Sequence, residues 1–189
     1  MKKLGLVRAD PAAQALYAAA VAEGRRDIHF TAWGVPDTVD GRFDMISLVV
    51  ALINRRIGLA GREHAARIQE LAQDLFDVMF ADMDINLREL GVSDEGMKHR
   101  IKPMASAHLG RVKAYTDALA EPDQAACIKA LSAALTRNVY RAVENADPTP
   151  LAKRMVELAR QLDACSDDDI LAGRITFNPP RNSEHGDPS

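Results

Sequence analysis

The chain has 189 residues, a formal net charge of -3 and two cysteines. This length suits one domain that buries about 70% of its unfolded surface, so neither a disulfide nor a metal is needed to hold it together. The nearly balanced charge argues against a general nucleic-acid-binding surface, and the cysteine spacing argues against a zinc site. Free thiols and an N-terminus without a signal-peptide pattern predict a cytoplasmic protein.

Apolar side chains recur at helical spacing along most of the chain, which predicts an all-α fold. The longest apolar run, MISLVVALI at residues 45–53, has less than half of the ~20 residues that a membrane-spanning helix needs. A first helix is expected from Asp10 to Gly24, and a second from residue 38 to residue 58. Residues 25–38 between them lack helical periodicity and predict a long loop that bears aromatic side chains.

The rest of the chain continues the helical pattern. Pro103 falls inside one of these segments and predicts a kink or a break there. Residues 1–173 are therefore expected to form a single-domain bundle of six or seven helices, and residues 174–189 a flexible tail. The further helical segments are expected at residues 63–90, 93–119, 122–143 and 147–165, with a short last turn at 166–173.

Three polar residues of the third long helix fall inside or at the edge of its apolar sector: Asp82, Asn86 and Glu89. A buried carboxylate needs a partner, because an unpaired one costs several kcal/mol. We expect Arg42, in the first turn of the preceding helix, to pair with Asp82 or Asp84, and Asn86 to complete the hydrogen bonds. Such a network either only fixes the helix register or also supports a binding surface. The expected polar network comprises Arg42, Asp82, Asp84, Asn86, Arg88 and Glu89.

Two long segments carry a resemblance to a known family: GVPDTVDGRFDM at residues 34–45 and LAQDLFDVMFADMDINLRELGVSDEGM at residues 71–97. In this order and spacing they resemble the ubiquinol-cytochrome c chaperone family. The resemblance covers residues 17–119, including GRVKAY at residues 110–115, and is weaker after residue 122. Three positions depart from the family pattern. Val49 stands where a histidine is common, His108 where an aromatic residue is usual, and Pro103 where a helix former is usual.

The resemblance implies an all-helical, non-enzymatic assembly factor without a cofactor. Such a protein engages newly made cytochrome b and supports assembly of the ubiquinol-cytochrome c reductase complex. The further partners implied are a small partner subunit, the ribosome and the inner face of the inner membrane, but no specific nucleic-acid sequence.

The aromatic loop and the apolar residues after it are the expected client-binding site. A chaperone for apolar segments needs exposed apolar area that adapts to its client, and methionine side chains adapt readily. The alternative for Trp33 is that it only closes one end of the bundle. A basic cluster, Lys98, Arg100 and Lys102, is a candidate contact for anionic lipid or ribosomal RNA. The expected client-contacting residues are Phe30, Trp33, Val35, Pro36, Asp37, Met45 and Val49.

A helical-bundle enzyme, or a small-molecule-binding protein with a buried polar pocket, is the rival interpretation. The sequence has no Glu-x-x-His pair for a di-metal site, no nucleophile elbow and no phosphate-binding loop. His108 lies on an apolar helix face and is expected to be a core histidine. A closed pocket with convergent titratable groups would favour the enzyme, whereas an open apolar groove beside residues 35–38 would favour the chaperone. A regulatory homodimer without a client is a third possibility.

Overall fold

The structure is a computed structural model that describes residues 10–89 and 91–180, with the side chains of residues 94, 97, 98, 100 and 101 left out. Within these residues all regular structure is helical, so the predicted fold class is confirmed. Six helices are long, and two contain only five residues each. In chain order the helices are α1 (Pro11–Gly24), α2 (Asp27–Thr31), α3 (Val39–Gly58), α4 (Ala65–Glu89), α5 (Asp94–Leu119), α6 (Gln124–Asn138), α7 (Thr149–Asp163) and α8 (Asp167–Leu171).

Local capping chemistry sets the helix boundaries that the sequence predicts best. The Asp10 carboxylate accepts a hydrogen bond from the Ala12 amide at 2.7 Å, which caps α1. The Thr38 hydroxyl accepts one from the Gly41 amide at 3.0 Å, which caps α3. Gly91 follows α4 with a φ of 79°, a left-handed conformation that glycine adopts without strain. These side chains satisfy amide groups that have no partner inside the helix.

Helix α3 is the centre of the bundle. It packs against α1, α4, α5, α7 and α8. The consecutive residues Leu48, Val49 and Val50, which project about 100° apart around this helix, are all 0% exposed. A helix that is apolar nearly all round requires such complete burial. Across the described residues no helix combines the length and the apolar character needed to cross a membrane.

Three predicted features of the backbone are wrong. The expected loop between the first two long helices contains α2, whose five residues span Asp27–Thr31. Helix α5 continues through Pro103, so the predicted break is wrong, whereas the predicted kink stays a prediction. The first turn beyond α6 begins at Val139, so this helix is shorter than the predicted segment.

Residues 174–180 pack against the bundle, and the predicted flexible tail is therefore wrong for this part. The Phe177 side chain is only 8% exposed and belongs to the core. Buried Arg154 of α7 joins this segment to α1, because its Nε donates to Glu23 Oε1 at 2.9 Å and its Nη2 donates to the Asn178 carbonyl at 2.5 Å. A lone aromatic residue among turn formers has no periodicity that would predict this docking.

Candidate functional site

Asp82 lies against α1 and not against the start of α3. Its Oδ2 accepts a hydrogen bond from the Tyr17 hydroxyl at 2.7 Å. Burial and the carboxylate of Asp82 raise the pKa of Tyr17 above its ordinary value. Arg42 instead pairs with Asp37 at 2.6 Å, and both side chains are 54% exposed. The predicted Arg42–Asp82 pair is wrong because α1 packs on this side of α4 and supplies the donor.

The other members of the predicted polar network act separately. The Asn86 side chain donates to the backbone carbonyl of Asp82 at 2.6 Å, within α4 itself. Asp84 and Arg88 form an i, i+4 ion pair at 2.7 Å near the surface. Glu89 is exposed. The contacts given for Asn86 and for the Asp84–Arg88 pair lie within α4.

Three of the predicted client contacts are inaccessible. Val35, Met45 and Val49 are 2%, 1% and 0% exposed, and the last two lie in the part of α3 that the other helices cover. No incoming segment reaches them without repacking of the core. Their assignment to a client surface is therefore wrong, and their role in the described structure is packing.

The remaining predicted client contacts lie at the surface. Phe30, Trp33 and Pro36 are half-buried, and Asp37 is exposed. The Phe30 ring lies 5.7 Å from the Arg42 guanidinium, which extends the Arg42–Asp37 pair into a small surface cluster. The Trp33 indole packs 5.1 Å from the buried His29 ring, and the Trp33 carbonyl accepts a hydrogen bond from the Tyr140 hydroxyl at 2.9 Å.

The two family-like segments meet at an open pocket of about 300 Å³, called the motif pocket below. The pocket directly follows residues 35–38, since its first lining residue is Val39, which is 49% exposed. Gly41 permits this arrangement, because a Cβ there would lie 2.0 Å from the Pro36 carbonyl oxygen. The motif pocket is lined by Val39, Asp40 and Phe43 of α3, Met83, Asn86 and Leu87 of α4, and His99, Pro103 and Met104 of α5.

A buried ion cluster lies behind the motif pocket. Asp44, next to the pocket residue Phe43, is 2% exposed and pairs with Arg111 of α5 at 2.6 Å and with Arg141 at 2.5 Å. Burial raises the pKa of Asp44, and the two guanidinium groups oppose this effect. The Arg111 guanidinium also lies 5.8 Å from the centre of the Phe43 ring, within the range of a cation–π contact.

His108 is buried next to this cluster. Its Nδ1 forms a hydrogen bond with the Ser47 hydroxyl at 2.8 Å, and its ring lies 6.1 Å from that of Phe76. Burial and the charge of Arg111 lower the pKa of His108 to about 4. The imidazole is therefore neutral at physiological pH, as expected for a core histidine.

The sequence pattern predicts most of the pocket-lining residues as core residues. It does not predict that they line an open pocket. Phe43, Met83 and Met104 recur at helical spacing, and periodicity alone does not distinguish a core face from a pocket wall. Val39 at the pocket mouth is the residue whose exposure the sequence indicates best. It is apolar and directly follows the N-cap Thr38, and the first residue of a helix is often accessible to solvent. The three buried groups Asp44, His108 and Arg111 do not line the pocket, and the titratable groups that do line it are Asp40 and His99.

The basic cluster and a second groove complete the described surface. Lys102 is exposed, whereas the side chains of Lys98 and Arg100 lie outside the described part of the structure. A larger groove of about 970 Å³ runs between α6 and α7 beside Trp33, and it contains no residue of α4 or α5. Among the described residues no group of histidine, cysteine, aspartate and glutamate side chains is arranged to hold a metal ion.

A helical bundle with an open, largely apolar pocket between α3, α4 and α5 fits a binding protein, and comparison with known proteins gives its class. The chain belongs to the ubiquinol-cytochrome c chaperone family, whose model matches residues 31–177. It is also similar to the crystal structure of the Cbp3 homolog from Brucella abortus, with 33% sequence identity, 89% of each chain covered and a TM-score of 0.75. A comparison with curated proteins found no match.

The family match includes the later helices and supports a role. The match includes α6, α7 and α8, so the family region extends well beyond residue 122, where the sequence resemblance is weaker. Membership of this family supports a role as an assembly chaperone and argues against an enzyme. The motif pocket contains residues from both segments that carry the resemblance.

Proposed function

We propose that this protein binds newly made cytochrome b at the motif pocket and thereby supports assembly of the ubiquinol-cytochrome c reductase complex. One observation carries the proposal. Two family-like segments that are separate in sequence form one open apolar pocket directly after residues 35–38. An open apolar groove at this place is the feature that favours a chaperone over an enzyme.

The chemistry of the motif pocket suits a transient apolar guest. A volume of about 300 Å³ accepts one or two large apolar side chains. Burial of each such side chain contributes about 1.5–3 kcal/mol, which gives weak and reversible binding. Met83 and Met104 provide flexible walls that adapt to different side chains. Weak binding allows the client to leave when its own partners become available.

The proposed place of action is the cytoplasm and the inner face of the inner membrane. Cytochrome b is a membrane protein, so its chaperone must work where the chain enters the bilayer. Exposed Lys102, together with Lys98 and Arg100, would supply about 1 kcal/mol per charge toward anionic lipid or ribosomal RNA. A small partner subunit completes the proposed assembly.

Site-specific photocrosslinking in the native host tests the proposal. A photoreactive amino acid replaces Val39 at the pocket mouth, and a matched variant carries it at Leu59, which is 60% exposed at the end of α3. Crosslinked products are captured from membranes and analysed for cytochrome b by mass spectrometry. We expect cytochrome b adducts from position 39 and none from position 59. Adducts in equal yield from both positions, or from neither, would contradict binding at the motif pocket.

Loss of the complex provides the functional readout. Deletion of the gene is expected to lower the amount of assembled reductase, and re-expression of the wild type is expected to restore it. Val39→Asp places a charge at the pocket mouth without disturbing the core, because the side chain is half exposed. This variant is expected to accumulate normally but to restore less reductase than Leu59→Asp. Full restoration by Val39→Asp would exclude the motif pocket.

A further inference from the structure

We infer that Arg111 is a positioning residue for the motif pocket. Its guanidinium holds the Phe43 ring, which forms the inner wall of the pocket, in one orientation. The client readout of this inference rests on the proposed function, whereas its structural readout does not. Arg111 does not line the pocket, so it acts through Phe43 and not by contact with a client.

A closed ring of side-chain contacts joins α3, α4 and α5 behind the pocket. Aromatic rings make up one half of it, and the hydroxyl, imidazole and guanidinium groups make up the other. Each helix supplies two members, so movement of any one helix changes the whole ring. The contacts are Phe43–Phe80 at 6.5 Å, Phe80–Phe76 at 4.5 Å, Phe76–His108 at 6.1 Å, His108–Ser47 at 2.8 Å, Ser47–Arg111 at 3.5 Å and Arg111–Phe43 at 5.8 Å.

Arg111 has the chemistry that this position needs. Its planar guanidinium lies over the Phe43 ring, with Cζ 5.8 Å from the ring centre, and donates to Asp44 at 2.6 Å. The side chain is 8% exposed, and a desolvated cation–π contact is stronger than an exposed one. Lysine would keep the charge near Asp44 but would provide no flat surface for the ring.

Phe43 is therefore held from two sides. Phe80 packs edge-on at 6.5 Å, and Arg111 covers the ring at 5.8 Å. Without the guanidinium the ring gains room to rotate toward the space that Arg111 leaves, and the wall of the pocket moves with it. A pocket of about 300 Å³ is small enough for the displacement of one aromatic ring to change which side chains fit.

The test compares Arg111→Lys and Arg111→Met with Arg56→Met. Arg56 is a matched control because it is 6% exposed and donates to the Leu162 carbonyl and to Asp167, on the α7–α8 side of α3. Two quantities are measured on each folded variant. The first is the affinity for a detergent-solubilised transmembrane segment of cytochrome b. The second is the methyl NMR signal of Met83, which lines the same pocket as Phe43.

We expect both Arg111 variants to bind the segment about 10-fold more weakly, because a displaced Phe43 ring reduces the burial of a client side chain in the pocket. Both are also expected to shift the Met83 signal, whereas Arg56→Met changes neither quantity. Wild-type affinity and an unshifted Met83 signal in Arg111→Lys would overturn the inference, as would an equal loss of affinity in Arg56→Met. If Arg111→Met does not fold, Arg111→Lys decides the matter.

Failure of the proposed function would leave a different pattern. In that case the wild type itself does not bind the segment, and the Met83 signal alone tests the inference. A shift in Arg111→Lys then supports the positioning role, and an unchanged signal overturns it.

Discussion

Replacement of Tyr17 by phenylalanine removes the hydroxyl that donates a hydrogen bond to the Asp82 carboxylate. This hydroxyl is the donor that Asp82 has in place of the expected arginine. The hydroxyl of this buried residue donates to the carboxylate at 2.7 Å, and a hydrogen bond to a charged group contributes about 1.5–3 kcal/mol. Asp82 is only half-buried, so water rehydrates the carboxylate in part and the loss falls near the lower limit, about 1.5 kcal/mol. For a chain of this length the melting temperature is expected to fall by about 3–6 °C.

A double-mutant cycle measures this contact directly. Tyr17→Phe, Asp82→Ala and the double variant are unfolded in urea, and the expected coupling free energy is about 1 kcal/mol. The pair Arg42→Ala and Asp82→Ala serves as the control and should be additive, since Arg42 pairs with Asp37. Additivity between Tyr17 and Asp82 would refute the contact.

The pH dependence of the same variants provides a second check. The pKa of Tyr17 is raised in the folded protein, so its stabilising contribution is complete below the ordinary tyrosine pKa of about 10 and is lost as the pH rises further. The difference in unfolding free energy between wild type and Tyr17→Phe should therefore be constant up to about pH 10 and decrease above it.

Three further changes have defined outcomes. Arg154→Met leaves the buried Glu23 carboxylate without its α7 partner and should lower the free energy of unfolding in urea by about 3 kcal/mol. Phe177→Ala should cost about 3 kcal/mol in the same assay, because the ring is buried, whereas a loose segment would show no change. His108→Phe should make the free energy of unfolding less sensitive to acid. In the wild type the lowered pKa of His108 means that about 3 kcal/mol of unfolding free energy is lost as the pH falls from ~6.5 toward 4. The variant has no imidazole to protonate and should not show this loss. An identical pH profile for both proteins would contradict burial of the neutral imidazole.

Sequence predicted the features of the fold that local chemistry determines. Asp10, Thr38 and Gly91 cap or stop their helices through groups a few residues away, so composition and spacing were sufficient there. The continuous apolar character of α3 likewise predicted its central position. Burial of Phe177 depends on contacts with distant helices, and a single aromatic residue gives no pattern to detect.

The polar partners could not be predicted, because they depend on which helix packs against which face. Asp82 requires a donor, and the sequence correctly indicates this requirement. Arg42 lies in the helix that precedes α4 in the predicted order and was therefore the expected partner. In the fold, Tyr17 of α1 lies next to Asp82 and donates the hydrogen bond. The wall of the motif pocket could likewise not be predicted from the sequence, because Phe43 and Met83 have the same periodicity as core residues.

Methyl NMR of the methionine side chains tests the central claim most directly. Met83 and Met104 line the motif pocket, whereas Met155 is buried in α7. On addition of a cytochrome b transmembrane segment, the signals of Met83 and Met104 are expected to shift and that of Met155 to stay unchanged. Binding that leaves Met83 and Met104 unshifted would show that the client is held elsewhere on the protein.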